Sequence, residues 1–298
     1  MIEKSFLNKI IKNPYSIAKL NFDQLIIVFR EAVALFREED MLLELKKEHP
    51  QDKVIVIGDL HGDLISLMRM MEIIRLENPK YVIFLGDIVD RGLYQLECFI
   101  LVLVLKIKDS NKYFLLKGNH ETLEVNQSYG FFQDFLNRFK DPKKFNQITA
   151  VYNALPYCAL VNESILCLHG GIPEEFNAIN KLRGIKTSEI NLINENTAKS
   201  LLQIMWNDPK LKLKGFTESF RGRDIKFFGE DVFTDFMREN KLDYLIRAHE
   251  MFPEGYKWFF NERLLSIFSS ANYRGMLTPN PASYAIIRNK TVIPKIIS

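Results

Sequence analysis

The chain has 298 residues and a mass of 34.9 kDa, with 47% hydrophobic and 26% charged residues, a balance that excludes a disordered or collagen-like chain and allows one large core or two modest ones. Forty Lys and Arg against thirty-seven Asp and Glu leave a formal charge of +3, too small for nucleic-acid binding by charge alone. The sparse cysteines, Cys98, Cys158 and Cys167, supply neither a disulfide framework nor a paired-cysteine zinc site, which points to a reducing, cytoplasmic setting.

At the N-terminus the apolar positions are interrupted by Glu3, Lys4, Lys9 and Lys12, unlike the continuous apolar block of a signal peptide. From Phe6 to about Leu45 apolar residues recur at helical spacing, through Leu20, Leu25, Ile26, Phe29, Ala32, Val33 and Phe36. This predicts two or three helices, an N-terminal extension over residues 1–50 packed on a single catalytic domain over residues 51–298. After Pro50 the pattern becomes short apolar runs closed by polar turns: Val54 to Ile57 runs into Gly58-Asp59, Tyr81 to Leu85 into Gly86-Asp87, and Tyr113 to Leu116 into Gly118-Asn119. Ile65 to Leu76 and Leu96 to Ile107 read as the crossover helices between parallel strands. Beyond Tyr157 the strands come closer together, with Asn162-Glu163-Ser164 as a turn and three apolar runs in the last stretch from Tyr256, which predicts a more antiparallel sheet facing the first. The longest apolar stretch, Cys98 to Leu105, is far below the roughly 20 residues of a membrane span, so no membrane partner is expected.

The five histidines are unevenly placed. His61, His120, His169 and His249 fall within or just beyond strand-end motifs: Gly58-Asp59-Leu60-His61-Gly62-Asp63, Gly118-Asn119-His120-Glu121, His169-Gly170-Gly171 and Arg247-Ala248-His249-Glu250. Gly86-Asp87-Ile88-Val89-Asp90-Arg91-Gly92 adds two carboxylates and an arginine. Strand ends of an α/β sheet converge where ligands bind, and imidazoles mixed with carboxylates suit borderline divalent metals. Taken singly, each motif could be a helix cap or a tight turn; occurring together and in order, they point to one site. Only His49 is left without a role.

These motifs resemble those of the PPP family of metal-dependent serine/threonine protein phosphatases, within the metallophosphoesterase superfamily, from about Lys53 to Leu277. Trp206-Asn207-Asp208-Pro209, Arg221-Gly222 leading to Phe228-Gly229, and Ser269-Ser270-Ala271-Asn272-Tyr273 resemble its protein-phosphatase branch, and the short chain resembles the small archaeal and bacterial members. The fold implied is an α/β sandwich of two facing mixed sheets flanked by helices. The resemblance implies a dinuclear centre, with Asp59, His61 and bridging Asp87 on the first divalent ion and Asp87, Asn119, His169 and His249 on the second. Manganese is the first expectation in vitro, with iron, zinc or cobalt also compatible. It further implies in-line attack of a hydroxide bridging the two metals, Arg91, Arg221, Asn119 and Tyr273 as substrate-binding residues, His120 as general acid and Asp90 as the carboxylate that orients it. Arg223 competes with Arg221 for the role of second phosphate clamp, and Asp208 reads as a groove carboxylate or a turn residue.

The expected substrate is a phosphorylated protein; the sequence names no regulatory subunit, and no inhibitory tail or calmodulin-target helix is expected. One departure stands beside the site: Arg274 occupies the place of a cysteine typical of eukaryotic members, so thiol-directed inhibitors are not expected to label it. The enzyme alternative is a symmetrical dinucleoside tetraphosphatase or other small-phosphoester hydrolase, which would share the metal ligands, Arg91 and His120. The alternative of another class is a catalytically silent, phosphatase-like binding scaffold.

Overall fold

A computed structural model describes residues 2–271, 273 and 280–297. The chain opens with helix α1 (Lys4–Lys12) and helix α2 (Phe22–Arg37). Asn21 starts α2 with a reciprocal cap: its side chain accepts from Gln24 N at 2.9 Å while the Gln24 side chain accepts from Asn21 N at 3.1 Å. The helical pattern ends at Arg37, earlier than the spacing predicts. Leu42, Leu43 and Leu45 are instead buried from strand β1 (Leu42–Leu45), while Glu44 points outward.

Strands β2 (Lys53–Ile57), β3 (Tyr81–Phe84) and β4 (Tyr113–Leu115) run parallel, joined by helices α3 (Leu64–Glu77) and α4 (Gln95–Lys108). The second sheet contains β1, β5 (Cys158–Val161), β6 (Ile165–Leu168), β10 (Tyr244–Arg247), β12 (Leu264–Ile267) and β11 (Tyr256–Phe259), in that spatial order. It is mixed: β1·β5, β6·β10 and β10·β12 are parallel, β5·β6 and β11·β12 antiparallel. Two expectations about the C-terminal half are thereby corrected. The last two strands, β13 (Ser283–Arg288) and β14 (Thr291–Ile296), return to the first sheet, where β13 pairs antiparallel with β2. The second sheet takes a parallel strand from the N-terminal region in their place. A third, small sheet joins β7 (Asp208–Pro209), β9 (Lys226–Phe228) and β8 (Phe216–Glu218).

Strand periodicity explains the layers. Val54 and Val56 of β2 meet Ile165, Cys167, Ile246 and Leu265 of the second sheet, whereas Ile55 and Ile57 face helices α1 to α4. Both faces of β2 are buried, so its sequence is continuously apolar rather than alternating. Leu7, Ile10, Leu25, Val28, Phe29, Ala32 and Phe36 of α1 and α2 belong to the same apolar cluster as Phe99, Val102 and Leu103 of α4. The opposite face carries α9 (Glu195–Trp206) and α10 (Glu230–Glu239); between α4 and α9 lie α5 (Leu123–Tyr129), α6 (Phe131–Phe139), α7 (Asn146–Tyr152) and α8 (Ala178–Lys181). The result is the expected α/β sandwich. Among the described residues no helix is long and apolar enough to cross a membrane.

Candidate metal centre and active site

The chains leaving β2, β3, β4, β6 and β10 meet at one edge of the sandwich. Their loops are laced together by main-chain bonds: Leu60 N and His61 N both donate to Asp87 O, at 3.0 and 2.9 Å, and Gly62 N donates to Ile88 O at 2.8 Å. Ala248 N donates to His169 O at 3.0 Å, and His249 N to Asp59 Oδ1 at 2.9 Å. The close approach of the β3 and β4 ends requires glycine, since a Cβ on Gly86 would stand 2.2 Å from Gly118 N. His61, Asp87, Asp90, Arg91 and His249 all adopt positive φ, between 45° and 72°, a conformation that turns each side chain sharply out of its strand direction at a cost in backbone energy.

Asp87 lies at the centre of these side chains. Its Oδ2 is 3.8 Å from His61 Nε2, 3.9 Å from His120 Nε2 and 3.4 Å from His169 Nε2. His61, Asp87 and His120 offer donor atoms within 4.8 Å of one another, and so do Asp87, His169 and His249. Asp59 Oδ2 completes the first group at 3.6 Å from His61 Nε2, and Asn119 Oδ1 completes the second at 2.8 Å from His169 Nε2. The tautomers follow from the outer contacts. His61 Nδ1 donates to Val89 O at 2.9 Å and His169 Nδ1 to Leu85 O at 3.0 Å, which turns both Nε2 atoms toward the carboxylates. His249 Nδ1 is 3.1 Å from His169 Nε2. Lone pairs this close repel unless a proton or cation lies between them, and buried carboxylates with neutral imidazoles form a donor set for divalent ions.

The electrostatics show how strongly the centre draws positive charge, whether a proton or a cation. Burial opposes charging His61, but its hydrogen bond to Asp59 and the nearby Asp87 and Asp59 charges prevail, and its pKa is pushed up to about 9. His169 is raised in the same way, with Asp87 outweighing burial. Despite its burial, Asp87 is held well below the usual carboxylate range by the His169, His120 and His61 imidazoles. His249 moves the other way: burial and the Arg221 guanidinium hold it well below the usual imidazole range. The pocket therefore attracts positive charge at Asp87 and keeps a neutral ring at His249. Among the described residues His249 Nε2 is buried without a hydrogen-bond partner, 3.9 Å from Asp208 Oδ1.

Next to this centre His120 Nδ1 contacts Asp90 Oδ2 at 2.7 Å, leaving Nε2 directed toward the Asp87 side. Asp90 also accepts from Asn126 Nδ2 at 2.8 Å and Phe131 N at 2.9 Å, so the carboxylate that orients the ring is itself fixed. Arg91 is exposed, its guanidinium 4.1 Å from the Tyr129 ring and 5.9 Å from the Tyr273 ring. Tyr273 packs 5.0 Å from the His61 ring. Arg91, Tyr273 and His61, together with Leu93 and Tyr94, line a cleft of about 280 Å³. Arg221 Nε donates to Asp208 Oδ2 at 2.6 Å on the His249 side, whereas the Arg223 side chain is 96% exposed. Asp208 is no groove residue: it is 1% exposed and held between Arg221 and the fully buried Arg247, at 2.8 Å. Arg274 and Asn272 lie outside the described residues.

Three supporting residues were given no role from sequence. Glu121, fully buried, accepts from Asp87 N, Ile88 N and Gly118 N at 2.8, 3.0 and 2.9 Å; burial, then the Asp87 charge, pushes its pKa up to about 7. Asn126 joins Asp90 to His120 O and accepts from Tyr152 Oη at 3.0 Å. Arg247 ties Asp208 to Gly170 O, beside His169, at 2.6 Å. Glu121 and Arg247 stand inside quoted motifs, and a charged residue in an otherwise buried stretch was the available signal; Asn126, in α5, had none.

A family model described as calcineurin-like phosphoesterase matches residues 52–253. The structure is similar to a protein serine/threonine phosphatase from Saccharomyces cerevisiae described as similar to human phosphatase PP5: 26% identity, TM-score 0.84, covering 99% of this chain and 96% of that one. It also shares its fold, at 16% identity and TM-score 0.61, with a cold-active protein-tyrosine phosphatase from a psychrophilic Shewanella, covering 89% of this chain and 82% of that one. Phosphoesterases of this kind imply divalent metal ions, and the buried histidine and aspartate groups fit them.

Proposed function

The chain belongs to the calcineurin-like phosphoesterase family, and we propose that it is a phosphoprotein phosphatase that hydrolyses phosphoserine and phosphothreonine with two bound divalent ions. The observation that carries this reading is the likeness to the yeast serine/threonine phosphatase over 99% of the chain. In this reading Asp59, His61 and Asp87 hold one ion and Asp87, Asn119, His169 and His249 the other. Such ions lower the pKa of water to near neutrality and polarise phosphoryl oxygens.

The chain's own residues have distinct tasks. Arg91, which makes no ion pair among the described residues, presents a planar fork to two phosphoryl oxygens, a geometry lysine cannot supply. Arg221 is the second clamp, presented by Asp208, while Tyr273 and Asn119 border the substrate. A serine or threonine alkoxide is a poor leaving group, so a proton delivered from His120 Nε2 as the P–O bond breaks removes about 10²- to 10⁴-fold of the difficulty. Asp90 accepts from Nδ1 and holds the plane of the ring.

The test compares kcat/KM for a phosphoserine peptide with that for diadenosine tetraphosphate, using manganese-loaded protein. Preference for the peptide is expected. Faster cleavage of the dinucleotide would make the protein a small-phosphoester hydrolase, and fewer than one ion per chain with no hydrolysis of either substrate would make it a silent scaffold.

A further inference from the structure

Residues 209–226, between Asp208 and the end of the small sheet, carry six cationic side chains against two carboxylates, in a chain whose total excess is three. Most of the partners are already taken. Arg221 is paired with Asp208, Arg223 with Asp224, and Lys226 with Glu218 and Glu174. Lys214 stands in the field of Asp231. Among the described residues Lys210 and Lys212 pair with no carboxylate, so their charge is uncompensated.

Two of these cations, Arg221 and Lys210, adjoin an aromatic strip that begins at the site. The Arg221 guanidinium lies 5.9 Å from the Phe220 ring, Phe220 lies 5.6 Å from Phe227, and Lys210 Nζ stands 4.7 Å from the Phe227 ring. Phe220 is 86% exposed, the most exposed large apolar side chain described. So exposed a phenylalanine contributes little to the core, yet here, through Phe227, it links a phosphate-clamp arginine to Lys210. A continuous strip of positive charge and apolar surface running outward from a phosphoester site suits a chain segment that is itself acidic.

Resting on the phosphoprotein reading above, we propose that this rim is a specificity surface that selects substrates with acidic residues flanking the phosphorylated one, Lys210 and Lys212 meeting the carboxylates and Phe220 packing against the substrate backbone. The contribution is electrostatic, so it acts mainly on encounter and KM and weakens as salt screens it.

The experiment measures kcat/KM for two phosphoserine peptides of equal length, one flanked by Asp and Glu and the other by Lys, together with p-nitrophenyl phosphate, which is too small to reach the rim. The variant is Lys210→Glu with Lys212→Asn, asparagine being chosen because Lys212 has φ 64° and asparagine tolerates that conformation. Wild-type protein is expected to favour the acidic peptide about tenfold, a ratio that falls toward one in 0.5 M salt and in the variant while nitrophenyl phosphate turnover is unchanged. Equal kcat/KM for the two peptides, or a ratio the variant leaves intact, would overturn the rim's role and leave the phosphatase reading standing. Hydrolysis of nitrophenyl phosphate with neither peptide cleaved would overturn the phosphoprotein reading, and this inference with it.

Discussion

Two regions of this molecule are built on opposite principles. The helical face of α1, α2 and α4 is mostly apolar where it is buried, Gln95, Glu97 and Lys106 of α4 being the exceptions; none of the described residues before His61 has a positive φ. The strand-end edge buries Asp59, His61, Asp87, Asp90, Asn119, His120, Glu121 and His169 together and places five non-glycine site residues in the left-handed region, each at a cost of roughly 1–2 kcal/mol. The contrast shows where each region's free energy goes. The helical face gains stability through apolar burial, and the edge uses part of it to hold strained, charged side chains in one arrangement. Substitutions should therefore separate activity from stability according to region.

The largest effect is expected for Asp87→Asn, which weakens the carboxylate shared by both donor groups. Bound metal should be lost and phosphate release should fall by about 10⁴-fold or more, measured by metal analysis beside a phosphopeptide assay. An active, fully loaded variant would break the comparison at its centre. His120→Asn sharpens it, because this ring is assigned to proton transfer: kcat should fall about 10²- to 10⁴-fold with metal content unchanged. Nearly full activity on phosphoserine would remove the general-acid role.

On the helical face the pattern should invert. Phe29→Ala opens a cavity beneath α4 and should cost about 3–5 kcal/mol of stability, read from the denaturant midpoint, while kcat/KM of the folded protein stays as it was. Glu121→Gln lies between the two regimes. It replaces one acceptor oxygen of a side chain that braces the Asp87 loop without facing substrate, and metal affinity should drop about 10- to 100-fold. The smallest effect concerns the thiols. Burial pushes Cys158 up to about 12 and raises Cys98 and Cys167 well above their ordinary value, so at pH 8 almost no thiolate exists and iodoacetamide should label none of the three in native protein, but all of them after denaturation.

The two regions also differed in how readable they were from sequence. Strand-end motifs were legible because a short apolar run closed by Gly-Asp or Gly-Asn marks both a strand and the loop that presents its ligand, and the geometry brings His61, Asp87, His169 and His249 to one point. Assignment of strands to sheets was not. An apolar run such as Ser283–Arg288 looks the same whichever sheet receives it, and only the β13·β2 ladder decides. The end of the N-terminal helices was obscured because Leu42, Leu43 and Leu45 continue an apolar pattern that fits a helix as well as a strand. Asp208 was misplaced for a tertiary reason, since its burial depends on Arg247 from a strand far along the chain. Glu121 reaches the main chain of Asp87 and Ile88, and Asn126 the side chain of Asp90, across 30 or more positions, and no local pattern names such partners.

The most direct test of the account is a manganese titration of chelator-stripped protein, with bound metal and phosphate release from a phosphoserine peptide measured on the same samples. Two ions per chain are predicted, with activity appearing as the second is taken up. Full hydrolysis by the stripped protein, or fewer than one ion bound at saturating manganese, would contradict it.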